Sequence, residues 1–206
     1  MRPALTPQRV ADDVIEFQVN SPAEAQALAN TLRSEGLAED VVAGLDRVAV
    51  CFHPQDADRV EAWLGRVGDL PEPELREAPI VDIEVSYGGE AGMDFDHVCA
   101  ALGLSAEAFI ALHTAAEHTV EMIGFTPGFA YISGLPDGMA IPRLDTPRPR
   151  VAAGSVGISA AYTGLYALAG PGGWPVIGRT TAPLFVPDRA EPFLLQPGQR
   201  VRFKAV

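Results

Sequence analysis

Gly124-Phe125-Thr126-Pro127-Gly128-Phe129-Ala130-Tyr131 opens the stretch that decides the fold. It runs on through Pro147-Arg148-Pro149-Arg150-Val151-Ala152-Ala153-Gly154-Ser155-Val156-Gly157-Ile158 and Thr163-Gly164-Leu165-Tyr166, and it closes with Gly170-Pro171-Gly172-Gly173-Trp174-Pro175-Val176-Ile177-Gly178-Arg179-Thr180. Polar linkers do not interleave aromatic and β-branched residues so regularly with turn residues. Short strands joined by tight, specified turns do. Residues 124–206 hold 12 Gly and 11 Pro among short apolar runs, which predicts a closed or nearly closed β structure.

Upstream the pattern changes. Residues 14–19 alternate as a strand. Ser21-Pro22-Ala23-Glu24 then reads as a helix start: Ser21 can cap, Pro22 suits the first helical position and Glu24 completes a capping box. Ala25, Leu28, Ala29 and Leu32 form one apolar stripe, and Gly36 stops the helix. Residues 48–52 predict a buried strand, and Pro54 opens a second helix with Val60, Trp63, Leu64 and Val67 inward. This β-α-β-α pattern fits a small sheet with helices on one face.

Residues 70–79 carry Pro71, Pro73 and Pro79 among charges and hold neither helix nor central strand, so the domain boundary is placed there. The expected units are a small α/β domain over 1–75 and a β-rich domain over 80–206. In the second, 80–85 alternates as a strand and Tyr87-Gly88-Gly89-Glu90 makes a turn. Asp94 can cap a helix bearing Phe95, Val98, Cys99 and Leu102, ended by Gly103. Ser105 can cap another, with His113 in its last turn.

The totals exclude several functions. No apolar run of 18 residues is present and the N-terminus lacks a secretory pattern, so the expectation is a cytoplasmic protein. Cys51 and Cys99 form no CxxC pair and read as small buried residues. A net charge of −12 argues against nucleic acid or an anionic membrane as partner. The charge is uneven: residues 1–121 carry 23 acids and 7 bases, residues 122–206 carry 4 acids and 8 bases. A basic back half suits a small anionic ligand, and acidic solvated helices in the front would give the same split.

Lys204 is the only lysine, so there is neither a phosphate-binding lysine loop nor a Schiff-base lysine. No serine lies in a nucleophile elbow, His113 and His118 are five apart rather than four, and no metal site is expected. What remains suits anion and amide recognition. Arg148, Arg150 and Arg179 sit among prolines and glycines, where guanidinium groups can clamp a carboxylate or phosphate. Glycines 154, 157, 172 and 173 let backbone N–H groups approach a ligand, and Ser155, Thr163 and Thr180 add hydroxyls. His113 is either a general base or a helix-end cation. Glu121, flanked by apolar residues, reads as a solvated strand charge. Trp174 is a core anchor or a stacking wall.

The linked motifs around Gly124–Tyr131, Ala153–Ile158, Thr163–Tyr166 and Pro171–Thr180 resemble those of the KipI family. That family includes the B-type component of ATP-dependent 5-oxoprolinase, the first component of allophanate hydrolase and the first half of the carboxyltransferase domain of urea carboxylase. The resemblance implies an α+β fold: a small N-terminal α/β domain followed by a cyclophilin-like β-barrel domain. It also implies a companion subunit (KipA-like, the C-type component of 5-oxoprolinase) and a composite site for a small anionic amide. ATP is implied as cofactor, bound with the companion subunit, and the isolated chain is expected to be inactive. Tyr162 stands where the family usually has glutamine, and Gly170 where it commonly has serine. With Tyr162 included, the expected substrate-binding set is Arg148, Arg150, Ser155, Tyr162, Thr163, Gly172, Gly173, Arg179 and Thr180, with His113 catalytic. The alternatives implied are allophanate hydrolysis and a KipI-like inhibitor of a histidine kinase. Fold analogy alone adds prolyl isomerisation.

Overall fold

Residues 6–36, 38–64 and 79–206 are described in a computed structural model of the chain, which divides into two compact units. The first holds β1 (Pro7–Ala11), β2 (Val14–Gln18), α1 (Pro22–Ser34), β3 (Asp40–Ala43), β4 (Arg47–Cys51), a single 3-10 turn at Pro54–Asp56 and α2 (Ala57–Leu64). Its antiparallel sheet has the order β1-β2-β4-β3. Alternation puts Ile15, Phe17, Val41, Val48 and Val50 on one face, where they meet the stripe of Ala25, Leu28, Ala29 and Leu32 from α1.

α1 starts as its sequence predicts. The Ser21 hydroxyl accepts from the Glu24 N–H at 3.2 Å. The Glu24 carboxylate closes back one residue earlier than a capping box requires, accepting from the Asn20 N–H at 3.0 Å. Two strands go unannounced in the sequence: β1 is exposed throughout and β3 is only four residues long. Neither offers the long alternation by which a half-buried strand is recognised. Val67, residues 70–78 of the proline-rich segment and the domain boundary placed there lie outside the described residues.

The second unit is built on a closed barrel. Its strands are β5 (Val81–Tyr87), β6 (His118–Ile123), β7 (Ala130–Ser133), β9 (Ser155–Ser159), β10 (Tyr162–Leu165), β12 (Val176–Arg179) and β13 (Arg200–Ala205), in the order β10-β7-β6-β13-β5-β12-β9. Only the β13–β5 pair is parallel. Closure leaves no free edge on a set of very short strands. Ile83, Val85, Val120, Ile132, Val156, Ile158, Leu165, Ile177, Val201 and Phe203 fill the interior. A separate ribbon pairs β8 (Arg148–Val151) with β11 (Gly170–Gly172).

Between β5 and β6 the chain makes α3 (Phe95–Leu102) and α4 (Ala106–Ala115). Gly103 ends α3 in the left-handed conformation at φ 68°, and the Ser105 hydroxyl caps α4 by accepting from the Ala108 N–H. Asp94 stands before α3 but its side chain makes no cap hydrogen bond, because the carboxylate is engaged elsewhere. α4 turns Phe109 and His113 toward the barrel interior, both fully buried. Among the described residues no single helix is long and apolar enough to cross a membrane.

The outer wall of the barrel is bare where β9 and β10 carry Gly157 and Gly164. A Cβ built on Gly164 would lie 2.7 Å from Trp174 Cζ3 and 2.8 Å from Phe129 Cζ, well inside contact. Gly164→Ala therefore has to displace two aromatic rings. The expected cost is about 1–3 kcal/mol in urea-induced unfolding, with altered Trp174 fluorescence. Wild-type stability and an unchanged spectrum would show that the rings do not rest on this wall.

Candidate functional site

Over those glycines lies a second core of aromatic residues. Phe129, Val151, Tyr166, Trp174 and Val176 are buried there, with Tyr131 and Tyr162 half-buried at its rim. Phe129 meets Tyr131 and Tyr166 edge-on at 4.9 Å each, and Trp174 at 5.7 Å. Tyr131 meets Trp174 at 5.7 Å and Tyr162 at 6.5 Å. Each such edge-to-face pair contributes roughly 0.5–1.5 kcal/mol beyond the area it buries. Gly172 belongs to this packing, since a Cβ there would sit 2.5 Å from the Tyr166 hydroxyl. Phe125 continues the cluster outward, 61% exposed and held at φ 68°, a region that bulky residues rarely enter.

Polar groups border the two half-buried tyrosines. In β6 the register shifts between Val120 and Met122, so Glu121 occupies a β-bulge. Bulges re-aim side chains, and Glu121 turns to Ser133 of β7, whose hydroxyl donates to Glu121 Oε1. Thr163 pairs with Ile132, which sets Tyr162 of β10 beside Ser133. Glu121, Ser133 and Tyr162 thus form one row across three strands. On the other side Ile141 bridges Ala160, and the Leu144 N–H donates to the Gly173 carbonyl at 2.7 Å. Arg143 is held between these two anchors.

Electrostatics agree with the placement. Burial pushes the phenol pKa of Tyr131 up, with Arg143 opposing. Burial and the Glu121 charge both push that of Tyr162 up. Both phenols are therefore protonated at neutral pH and available as donors.

The residues expected from the sequence fall in several separate places. Tyr162, Gly172 and Gly173 belong to the aromatic face. Arg148 lies behind it, where both guanidinium nitrogens donate to Asp94 at 2.8 and 2.6 Å, and the Val176 N–H donates to the same carboxylate at 2.7 Å. Arg148 thus pins the ribbon to the start of α3, and this bidentate geometry is turned to a protein carboxylate. Arg150 and Arg179 are exposed, on the ribbon and on the barrel respectively. Ser155, Thr163 and Thr180 are buried in the wall, the Thr180 hydroxyl accepting from the Ala182 N–H at 3.1 Å.

His113 is wholly buried. Its Nδ1 lies 2.7 Å from the Tyr87 hydroxyl and its Nε2 3.0 Å from the Thr163 hydroxyl, while the ring stacks on Phe203 at 4.6 Å. Burial, aided by the nearby His118, brings its pKa down to about 3, so the ring is neutral. It ties β10 to α4 and β5 from within and thereby fixes the strand carrying Tyr162. His118 Nε2 donates to the His113 carbonyl at 2.8 Å, and burial lowers its pKa despite its two carbonyl neighbours.

Glu121, Tyr131, Arg143 and Tyr166 belong to the face and lie outside the set expected from the sequence. Arg143 does carry a signal, the same Pro-Arg context as Arg148 and Arg150. Glu121 carries none, because a bulge has no sequence signature of its own.

Residues 9–195 match the family model described as carboxyltransferase domain, subdomain C and D. The chain is 41% identical over 170 residues to the B-type component of 5-oxoprolinase from Escherichia coli O157:H7, covering 80% of this chain and 76% of that protein. It is 36% identical over 207 residues to the corresponding 5-oxoprolinase component of Haemophilus influenzae, covering 94% of each. Among solved structures, TTHA0988 superposes with a TM-score of 0.81 at 32% identity over 94% of this chain. The chain spans 40% of the length of TTHA0988.

Two outcomes test the frame of the site. Asp94→Ala leaves the Arg148 guanidinium and the Val176 N–H without their acceptor, and is expected to cost about 2–4 kcal/mol. The double variant Asp94→Ala/Arg148→Ala should recover part of that loss; a loss equal to the sum of the Asp94→Ala and Arg148→Ala losses would mean the pair is not coupled. The second outcome concerns pH. A histidine buried neutral at about 3 is protonated more readily in the unfolded chain, so its contribution is complete above about pH 6.5 and lost as pH falls toward 3. Unfolding free energy should decline from pH 6.5 to 5 in the wild type and less steeply in His113→Gln. Parallel slopes would contradict the neutral buried ring.

Proposed function

The chain belongs to the carboxyltransferase-domain family, subdomain C and D, and on that premise we propose that it is a subunit of an ATP-dependent 5-oxoprolinase. The 41% identity to a B-type component of 5-oxoprolinase, spread over most of both chains, carries this reading. The reaction opens the lactam ring of 5-oxoproline by hydrolysis to glutamate, driven by ATP. It needs a site that holds a small anionic amide, and the tyrosine-lined face bordered by Glu121 and Arg143 is suited to that.

In this reading the chain supplies recognition, and a companion subunit completes the site and binds ATP. The chain has no nucleophile elbow and no phosphate-binding lysine loop, which favours a shared site over an autonomous one. His113 acts as a positioning residue through Thr163 and Tyr162, since its ring is wholly buried with both nitrogens within hydrogen-bond distance of hydroxyls. Arg148 likewise positions the ribbon.

The purified chain, its companion subunits and their mixture should be assayed for glutamate release from 5-oxoproline with and without ATP. Release only from the complete mixture and only with ATP is expected. Release by the chain alone overturns the shared site. A complete mixture that hydrolyses allophanate but not 5-oxoproline overturns the substrate.

A further inference from the structure

The face over β6, β7 and β10 combines groups that fit different parts of one small molecule. Glu121 has one carboxylate oxygen fixed by the Ser133 hydroxyl, and its other oxygen has no hydrogen-bond partner among the described residues. Arg143, like Arg150, Arg179 and Arg189, has no carboxylate partner among the described residues, and its charge acts on Tyr131 and Tyr166. Both flank the half-buried rings of Tyr131 and Tyr162, whose centroids are 6.5 Å apart. An acceptor, a cation and two phenol donors around aromatic surface match a flat ring bearing an N–H, a carbonyl and a carboxylate.

Resting on the 5-oxoprolinase reading, we propose that this face is the substrate-recognition site. Arg143 binds the carboxylate, the free oxygen of Glu121 accepts the lactam N–H, the Tyr162 hydroxyl donates to the lactam carbonyl, and the Tyr131 ring covers the ring carbons. Three features of the fold hold these groups in place. The β-bulge aims Glu121, the anchors at Ile141 and Leu144 hold Arg143, and the His113–Thr163 bond steadies β10 behind Tyr162. The protonated Tyr162 hydroxyl supplies the donor for the carbonyl. The specificity follows: a lactam without the carboxylate loses the Arg143 contact, and a cyclic amino acid without the carbonyl loses the Tyr162 contact.

The test uses the assembled enzyme with its companion subunits. KM and kcat are measured for 5-oxo-L-proline, and inhibition constants for 2-pyrrolidinone (lactam, no carboxylate) and L-proline (carboxylate, no lactam). Arg143→Ala is expected to weaken kcat/KM for 5-oxoproline at least about tenfold while leaving inhibition by 2-pyrrolidinone within about twofold. Arg143→Lys should recover part of the loss. Glu121→Ala should weaken 5-oxoproline, 2-pyrrolidinone and L-proline, since each presents a ring N–H to that carboxylate. Equal losses for 5-oxoproline and 2-pyrrolidinone in Arg143→Ala would make its role structural and overturn the proposal. Wild-type kinetics in both variants would overturn it while leaving the 5-oxoprolinase reading intact. A wild-type assembly that turns over allophanate but not 5-oxoproline removes that reading, and the proposal falls with it.

Discussion

Close approach of aromatic rings to a bare barrel wall is the constraint on which the rest of the site depends. Gly157 and Gly164 present no side chain on the outside of β9 and β10, so Trp174, Phe129 and Tyr166 lie directly against backbone. Burying rings of this size stabilises a fold by roughly 1.5–3 kcal/mol each, enough to anchor loops that have little secondary structure of their own. Gly173, next to Trp174, holds Leu144 through its carbonyl, and that bond places the segment carrying Arg143. Gly172 stays small because the Tyr166 hydroxyl occupies the space a side chain would need. Gly157, Gly164 and Gly172 are therefore packing residues first.

The same wall is braced from inside. His113 reaches from α4 to Thr163 of β10 and Tyr87 of β5, and the His113 carbonyl receives His118 of β6. One helix end and three strands meet at one neutral imidazole. A histidine at the end of a helix, read from sequence, suggests a base or a cation at a helix end. Burial decides against the charged form, since an imidazolium shut away from water loses far more hydration than these hydroxyls return. Outside the wall the tyrosines stay protonated for a related reason. One side of β10 thus supports and the other carries the aromatic cluster with Tyr162 half-buried at its rim, and Thr163 and Tyr162, adjacent in sequence, belong to opposite sides.

Much of this is legible in the sequence and some of it is not. The dense Gly-Pro-aromatic pattern predicts a closed β structure, and the Ser21 and Ser105 caps mark helix starts that the structure shows. Alternation in 80–85 marks β5. The short, exposed β1 and the four-residue β3 carry no such signal. At the site, Arg148, Arg150 and Arg179 share a local context but not an environment. Asp94, 54 residues away, claims Arg148, and no local pattern announces a partner at that distance. Glu121 reads as solvated under strict alternation, and a single inserted residue breaks it. Long-range pairing and a bulge are tertiary facts, and they decide which charges border the tyrosines.

The central claim is that the outer face of β6, β7 and β10 is where substrate is recognised. A crystal structure of the assembled enzyme with 5-oxoproline bound tests it most directly. The account predicts the ligand ring against Tyr131, its carboxylate about 3 Å from the Arg143 guanidinium and its N–H directed at Glu121. Ligand bound away from this face, with Arg143 and Glu121 contacting only protein, would contradict it.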